Sequence, residues 1–248
     1  MNCEKITPYG DTGRSKSSQV EEMFNSIAPA YDFMNTAMSF GLHRRWLRKA
    51  LSMINRKNPP GPWLDVATGT ADVAISLARL NPQVTITGID LSEGMLDLGR
   101  AKVQRAGLSN RITLQKADCL QLPFESGSFG LVTVAYGVRN FQQLQRGISE
   151  MARVLKPGGM ISVIELSTPT LPIVKPFYNL YTRHIIPSVG RIASKDVRAY
   201  SYLPESIAAV PQGKAMDTLL ADAGLVNASH RPLTLGTCTI YTAYKPNK

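Results

Sequence analysis

Between Trp63 and Glu165 the chain alternates short apolar runs rich in β-branched residues with segments of helical periodicity. Strands are expected at 63–67, 84–89, 111–115, 129–135 and 159–165, with helices near 71–80, 92–107 and 142–154. Alternation at this pitch means βαβ units, a parallel sheet and right-handed crossovers. The fold class expected is therefore α/β, a doubly wound, Rossmann-like sheet. A helix at 211–223 and strands near 225–231 and 237–244 close the chain. The short Pro-Leu-Thr-Leu-Gly connection between those strands predicts a hairpin, so one strand should run antiparallel.

The flanks are read less directly. Residues 1–17, polar and containing Gly10 and Gly13, read as a mobile arm. A helix from Gln19 to Ile27 should stop at Pro29, and another should run from His43 to Arg56. The Asn58–Pro62 breaker cluster precedes the first strand. The segment 167–210, rich in Tyr and Pro, is too long for a simple loop and is expected to form helices capping the sheet. The whole reads as one domain: an N-terminal arm and helical cap (1–57), a core (63–165), a lid insertion (167–210), and a closing helix and hairpin (211–248).

Cys3, Cys119 and Cys238 are odd in number and scattered, as are His43, His184 and His230, so neither a disulfide framework nor a metal site is expected. The cysteine usage fits a reducing cytosol, and no apolar run approaches a membrane span. The net charge of +10 is uneven: residues 1–60 carry +4, 61–165 only +1, and 166–248 carry +5. A near-neutral core with basic flanks points to an anionic partner surface or to a solvated exterior.

The run Leu64-Asp65-Val66-Ala67-Thr68-Gly69-Thr70-Ala71-Asp72 is an apolar strand entering a tight small-residue turn, with helical periodicity beyond it. Such a turn lets a ligand lie against bare backbone at a helix N-terminus. The second strand ends on Asp90, placed to accept from ribose hydroxyls. Asp65, Asp90, Asp118, Arg139 with Asn140, and Glu165 recur at strand ends, 25, 28, 21 and 26 residues apart, and should line one rim of the sheet. Only Gly69 remains of a Gly-x-Gly-x-x-Gly pattern, and no Gly-Lys-Ser/Thr is present. A cofactor without phosphates needs less clearance, and S-adenosyl-L-methionine is such a cofactor. Asp118-Cys119 could meet the edge of its adenine.

Longer strings are more specific. They are Met23–Ala28 with Tyr31-Asp32-Phe33-Met34-Asn35, Ser39–Trp46, Asp90–Leu96 (which includes Met95), Leu122-Pro123-Phe124, Tyr136–Phe141, Lys156-Pro157-Gly158-Gly159, Ile164–Ser167 and Ala199–Ile207. From about residue 20 onward the chain resembles the ubiquinone/menaquinone-biosynthesis C-methyltransferase family, within the class I S-adenosylmethionine methyltransferases. The resemblance implies methylation of a ring carbon of a polyprenyl hydroquinone, demethylmenaquinol to menaquinol in the favoured reading and a ubiquinone precursor in the alternative. It places cofactor contacts on Thr70, Asp90, Asp118 and Cys119. Gly130 stands where most of this class have Asp, and Ala67 and Ala71 replace glycines of the general motif.

Carbon methylation needs an electron-rich ring. Arg139 and Asn140 suit stabilisation of a developing phenolate, His43 has the intrinsic pKa of a base, and Tyr31, Asp32, Tyr136, Glu165 and Tyr200 are the expected substrate contacts. A polyprenyl naphthoquinol or benzoquinol lives in the bilayer. The basic helix 43–56 is therefore expected to rest transiently on anionic headgroups, with the protein cytoplasmic and peripheral at the inner face of the membrane. Homodimerisation is left open. A nucleic-acid methyltransferase fits less well: Asn58-Pro59-Pro60 precedes the first strand, and no aromatic-basic platform for single strands is evident. The other rivals are a non-catalytic cofactor-binding module and a small-molecule O- or N-methyltransferase.

Overall fold

The first strand, β1 (Trp63–Val66), is buried at all four positions, the pattern of a strand covered on both faces. The computed structural model, which describes residues 3–182 and 197–247, sets β1 inside a seven-stranded sheet. The order is β3-β2-β1-β4-β5-β7-β6. β2 (Ile86–Asp90), β3 (Ile112–Lys116), β4 (Phe129–Ala135) and β5 (Leu155–Leu166) continue the parallel part. β7 (Cys238–Tyr244) runs antiparallel between β5 and β6 (Val226–Leu233), so the expected hairpin inserts its second strand first.

Alternate residues of the strands feed two cores. Trp63, Leu131 and Met160 pack with Leu51 and Ile54 of α3 (Leu42–Lys57) and Ala74 and Leu77 of α4 (Asp72–Leu80). Leu64, Val66, Val132 and Val134 pack in the other core, with Ile148 and Met151 of α6 (Leu144–Val154) and Met216 and Leu220 of α9 (Lys214–Asp222). Fully burying one such aliphatic side chain contributes about 1.5–3 kcal/mol, so both faces hold the sheet flat against its helices.

Four local features become intelligible in three dimensions. Residues 3–16 are no free arm: Cys3 is buried in the core, and Glu4 accepts from the Leu144 amide at the start of α6. The first α-helix ends at Ile27, as expected, and Pro29 interrupts the helical run only briefly. After α1 (Lys16–Ile27) it sits in the short 3-10 turn Ala28–Ala30, where a proline lacks no needed donor, and α2 (Tyr31–Met38) follows. The Lys156–Gly159 turn is a bulge inside β5. Leu155 pairs with Phe129 and Met160 with Leu131, and α6 ends on Leu155 in extended backbone. Gly130 has a local reason: a Cβ there would lie 1.8 Å from the Pro60 carbonyl oxygen, and its amide donates to the Pro62 carbonyl.

In the lid region the structure describes α7 (Val174–Leu180) and α8 (Val197–Ala209). α5 (Glu93–Arg105) follows β2, capped by Ser92, whose hydroxyl accepts from the Met95 amide.

Candidate active site

The carboxyl ends of β1, β2 and β4 open onto two adjoining cavities. The smaller, about 70 Å³, is lined by Gly69, Asp90, Met95, Asp118 and Cys119, with Ser17, Val20 and Phe24 of α1 over it. The larger, about 350 Å³, is lined mainly by apolar and aromatic side chains, among them Met34, Phe40, Trp46, Phe177 and Tyr178, together with His43 and Arg139. Phe24, Tyr31, Tyr136 and Asn140 border both.

The small cavity is built by backbone strain. In the turn after β1, Ala67 (φ 52°), Gly69 (φ 54°) and Ala71 (φ 66°) are all left-handed, so two alanines adopt a conformation that glycine takes without penalty. The turn is held from below. The Thr68 hydroxyl donates to Asp65 Oδ2 (2.7 Å), the Thr68 amide to the Ile89 carbonyl, and the Gly69 amide to Asp90 Oδ2 (2.9 Å). Asp90 Oδ1 accepts from the Ser92 amide (2.9 Å). Burial raises the Asp90 pKa, opposed by those backbone donors. Asp118 accepts from the Leu120 amide (2.8 Å), which fixes the loop that carries Cys119.

This donor set fits S-adenosylmethionine. Two carboxylates stand on the wall with lone pairs beyond those used by backbone amides, Met95 and Phe24 supply apolar cover, and the backbone at Gly69 is bare. Asp90 and Asp118 present carboxylate oxygens, hydrogen-bond acceptors only, to this cavity.

The large cavity is governed by a buried ion pair. Arg139 Nη1 donates to Glu165 Oε1 (2.7 Å) and also to the Tyr136 carbonyl. Burial pulls the guanidinium pKa down, but Glu165, with Tyr31 and Tyr202, outweighs it, so Arg139 stands above the ordinary arginine value. Arg139 Nε and the Tyr136 hydroxyl are buried without a hydrogen-bond partner. These are two of the four such side-chain atoms among the described residues, and both belong to residues that line this cavity. Tyr136 is held at φ +58°, a conformation rare for an aromatic residue. The Tyr202 hydroxyl donates to Asn140 Oδ1 (3.0 Å), pinning α8 to the wall.

His43 has a defined tautomer. The Ser39 hydroxyl donates to the Asn35 carbonyl (2.5 Å), so its oxygen accepts from His43 Nδ1 (2.7 Å). Nε2 is then the bare acceptor. Burial first, and Arg44 second, hold the imidazole below its ordinary pKa, so it is neutral at pH 7.

Several residues expected at the site stand behind it. Asp65 is fully buried beneath the turn, accepting from the Thr68 and Thr133 hydroxyls, and burial raises its pKa to about 6. Thr70 lines neither cavity: its hydroxyl donates to Asp32 Oδ1 and accepts from Lys102. Asp32 is drawn the same way, to Lys102 Nζ at 2.5 Å, and so leaves the substrate wall. Glu165 also lines neither cavity and acts through Arg139. The Tyr200 side chain lies outside the described residues, while Tyr202 of the same helix reaches the wall. Sequence reading missed Lys16, whose buried ammonium donates to the carbonyls of Cys3 (2.6 Å) and Arg139 (2.9 Å). Nothing in a polar N-terminal stretch signals such a tie. Tyr178 and Tyr181, which also line the large cavity, were foreshadowed only by the tyrosine content of the lid.

Sheet order, strand-end carboxylates and a donor-lined rim define a class I S-adenosylmethionine-dependent methyltransferase. An O-methyltransferase family protein from Burkholderia thailandensis superposes with a TM-score of 0.64 at 17% identity, over 86% of this chain and 58% of that one, a likeness of fold. The ubiE/COQ5 methyltransferase family model matches residues 12–245, and the chain belongs to that family. It is 48% identical over 243 residues to the demethylmenaquinone methyltransferase of Porphyromonas gingivalis, covering 98% of each chain. It is 44% identical over 242 residues to the ubiquinone/menaquinone biosynthesis C-methyltransferase UbiE of Geobacter sulfurreducens, covering 97% of this chain and 93% of that one.

Proposed function

We propose that the enzyme methylates a ring carbon of a polyprenyl naphthoquinol, converting demethylmenaquinol to menaquinol. The observation that carries this reading is a large, mainly apolar cavity adjoining the cofactor cavity and lined by Arg139 and Tyr136, each of which keeps a buried polar atom without a hydrogen bond. A quinol offers that combination its oxygen and its hydrocarbon. The Porphyromonas gingivalis relative carries the corresponding activity in its name.

Bound S-adenosylmethionine supplies a methyl group on a sulfonium, already electrophilic. The chain's residues must then make the ring carbon nucleophilic and hold it in line, at about 3–3.5 Å from the group it attacks. A phenolic hydroxyl has a pKa near 10, so at neutral pH its proton needs an acceptor. His43 Nε2 takes that proton, and the hydrogen still carried by the methylated ring carbon leaves as a second proton, which restores the aromatic ring. Arg139 Nε and the Tyr136 hydroxyl donate to the developing phenolate oxygen. Glu165 keeps the guanidinium in place, and Asn140, fixed by Tyr202, closes the wall between the chambers. Asp90, Gly69, Met95, Asp118 and Cys119 hold the cofactor, while Asp65 and Thr70 support its turn. Tyr31 borders both ligands. The substrate is drawn from a bilayer, so the protein works at a membrane surface.

The test is turnover of a short-prenyl demethylmenaquinol under reducing conditions, with the product's new methyl located on the ring by mass spectrometry. A benzoquinol precursor is run beside it, because the Geobacter relative is named for both pathways. Methyl transfer to oxygen alone, or none to the naphthoquinol, sinks the reading.

A further inference from the structure

Ten large apolar residues are well exposed among the described residues, and five of them fall together. Phe40 (77% exposed), Ile173 (82%), Phe177 (71%), Leu180 and Leu235 (63%) come from three segments that line or border the mouth of the large cavity. Phe40 and Phe177 line it directly, and Leu235 lies between the lining residues Thr234 and Thr237. The segments touch. The Phe40 and Tyr181 rings are 5.8 Å apart, the Tyr181 hydroxyl donates to the Met38 carbonyl (2.5 Å), and Trp46 Nε1 donates to the Thr234 hydroxyl (2.7 Å). Phe40 (φ 49°) and Leu235 (φ 57°) are held outward in left-handed backbone, a cost spent on exposing apolar side chains to solvent. An apolar patch of this kind, rimming a cavity, marks an interaction surface.

The charge beside it identifies the partner. Phe40 leads directly into α3, whose first turns expose Arg44, Arg45 and Arg48. None of the three forms an ion pair among the described residues. They sit at the positive end of the helix, where a cation is unfavourable and an anion favourable. Lys175 is exposed on α7, between Ile173 and Phe177. Apolar tips ringed by uncompensated cations match the two layers of an anionic bilayer, acyl chains within and phosphate headgroups outside.

We infer that the mouth of the large cavity docks end-on into an anionic bilayer. Phe40, Ile173, Phe177, Leu180 and Leu235 enter the acyl boundary, while the start of α3 holds the headgroups. This deepens the proposed function and rests on its bilayer substrate. It also narrows the expectation that helix 43–56 rests on the headgroups to the start of that helix, because Trp46, Ala50, Leu51 and Ile54 are buried in the protein. A quinol could then pass from bilayer to cavity without crossing water.

The test compares the full-length protein with Ile173→Ser/Leu235→Asn, neither residue lining a cavity, and with Arg44→Gln/Arg45→Gln. Asn is chosen at 235 because it tolerates the left-handed backbone. Binding is measured by co-sedimentation with phosphatidylcholine vesicles, with and without phosphatidylglycerol. The wild type should bind the anionic vesicles and weaken as salt rises, and each double variant should bind at least roughly tenfold more weakly. Turnover of a detergent-dispersed short-prenyl quinol should be unchanged in the Ile173/Leu235 variant. Wild-type binding by both double variants, or equal wild-type binding to neutral and anionic vesicles, overturns the inference. So does a switch from dimer to monomer in vesicle-free light scattering of the Ile173/Leu235 variant, which would assign the patch to a second copy of the chain. Intact vesicle binding without turnover would instead sink the proposed function and leave the surface standing.

Discussion

Tyr136 joins three features that are seldom found together: a left-handed backbone, a buried hydroxyl without a partner, and a position on the wall between two chambers. An unpaired buried hydroxyl costs stability in the free protein and is useful only when a ligand satisfies it. Tyr136→Phe should therefore stabilise the fold by about 1 kcal/mol in denaturant unfolding while turnover falls roughly tenfold. A variant that keeps full turnover removes the hydroxyl from the mechanism. Asp65 gives a complementary test. Its carboxyl pKa is raised by burial to about 6, so between the unfolded value and pH 6 the native state binds more protons than the unfolded chain. The stabilisation is complete below the unfolded value and is lost as pH rises through about 6. The stability of Asp65→Asn relative to wild type should thus rise by up to about 3 kcal/mol from pH 4 to pH 7, as followed by urea unfolding. Sequence reading put Asp65 on the rim because strand-end carboxylates commonly meet ligands. Thr68 and Thr133, which claim both of its oxygens, are visible only once β1 and β4 are paired. Arg139, Asn140, Asp90 and Asp118 were legible because each ends or follows a strand at the pitch of the sheet.

Among the elements, the core strands and α3 to α6 were legible from periodicity alone, since burial on two faces leaves long apolar runs and helices facing the sheet need an apolar stripe. The flanks were not. α2 was hidden by Pro29, and the packing of residues 3–16 depends on tertiary partners, Lys16 to the Arg139 carbonyl and Ser17 to Gln142, that no local pattern announces. Gly130 shows how a departure from a family pattern becomes intelligible only in three dimensions. The 59–62 segment crosses so close to β4 that any side chain at 130 meets the Pro60 carbonyl. Gly130→Asp, which restores the residue usual in the class, should destabilise by at least about 1–3 kcal/mol through overpacking. Equilibrium unfolding reads this directly, and a neutral result would mean that the 59–62 segment shifts freely. Cofactor affinity should change little, because Gly130 stands at the opposite end of β4 from Ala135 and Tyr136, which line the small cavity.

At the scale of the molecule, a wound sheet brings the ends of β1 and β4, 69 residues apart in the chain, onto one rim, and α1 closes the cofactor cavity from above. The parallel order was deducible, but the adjacency of two chambers was not, because their shared wall comes from α1, α2 and the segment after β4. The small cavity, about 70 Å³, leaves little open space beneath Ser17, Val20 and Phe24. Cofactor binding should therefore tighten α1 and the residues that Lys16 ties to Arg139, and the gain should appear in global stability. Ligand at about one hundred times its dissociation constant adds about 2.7 kcal/mol to a folded state that alone binds it. For a chain of this length that raises the melting temperature by roughly 5–11 °C. S-adenosylmethionine and S-adenosylhomocysteine should both produce such a shift in a calorimetric scan, and slowed amide exchange should follow over residues 16–27. A purified, folded sample that shows neither change would leave the rim without its ligand, and the catalytic roles assigned to Arg139, Tyr136 and His43 without a methyl donor to serve.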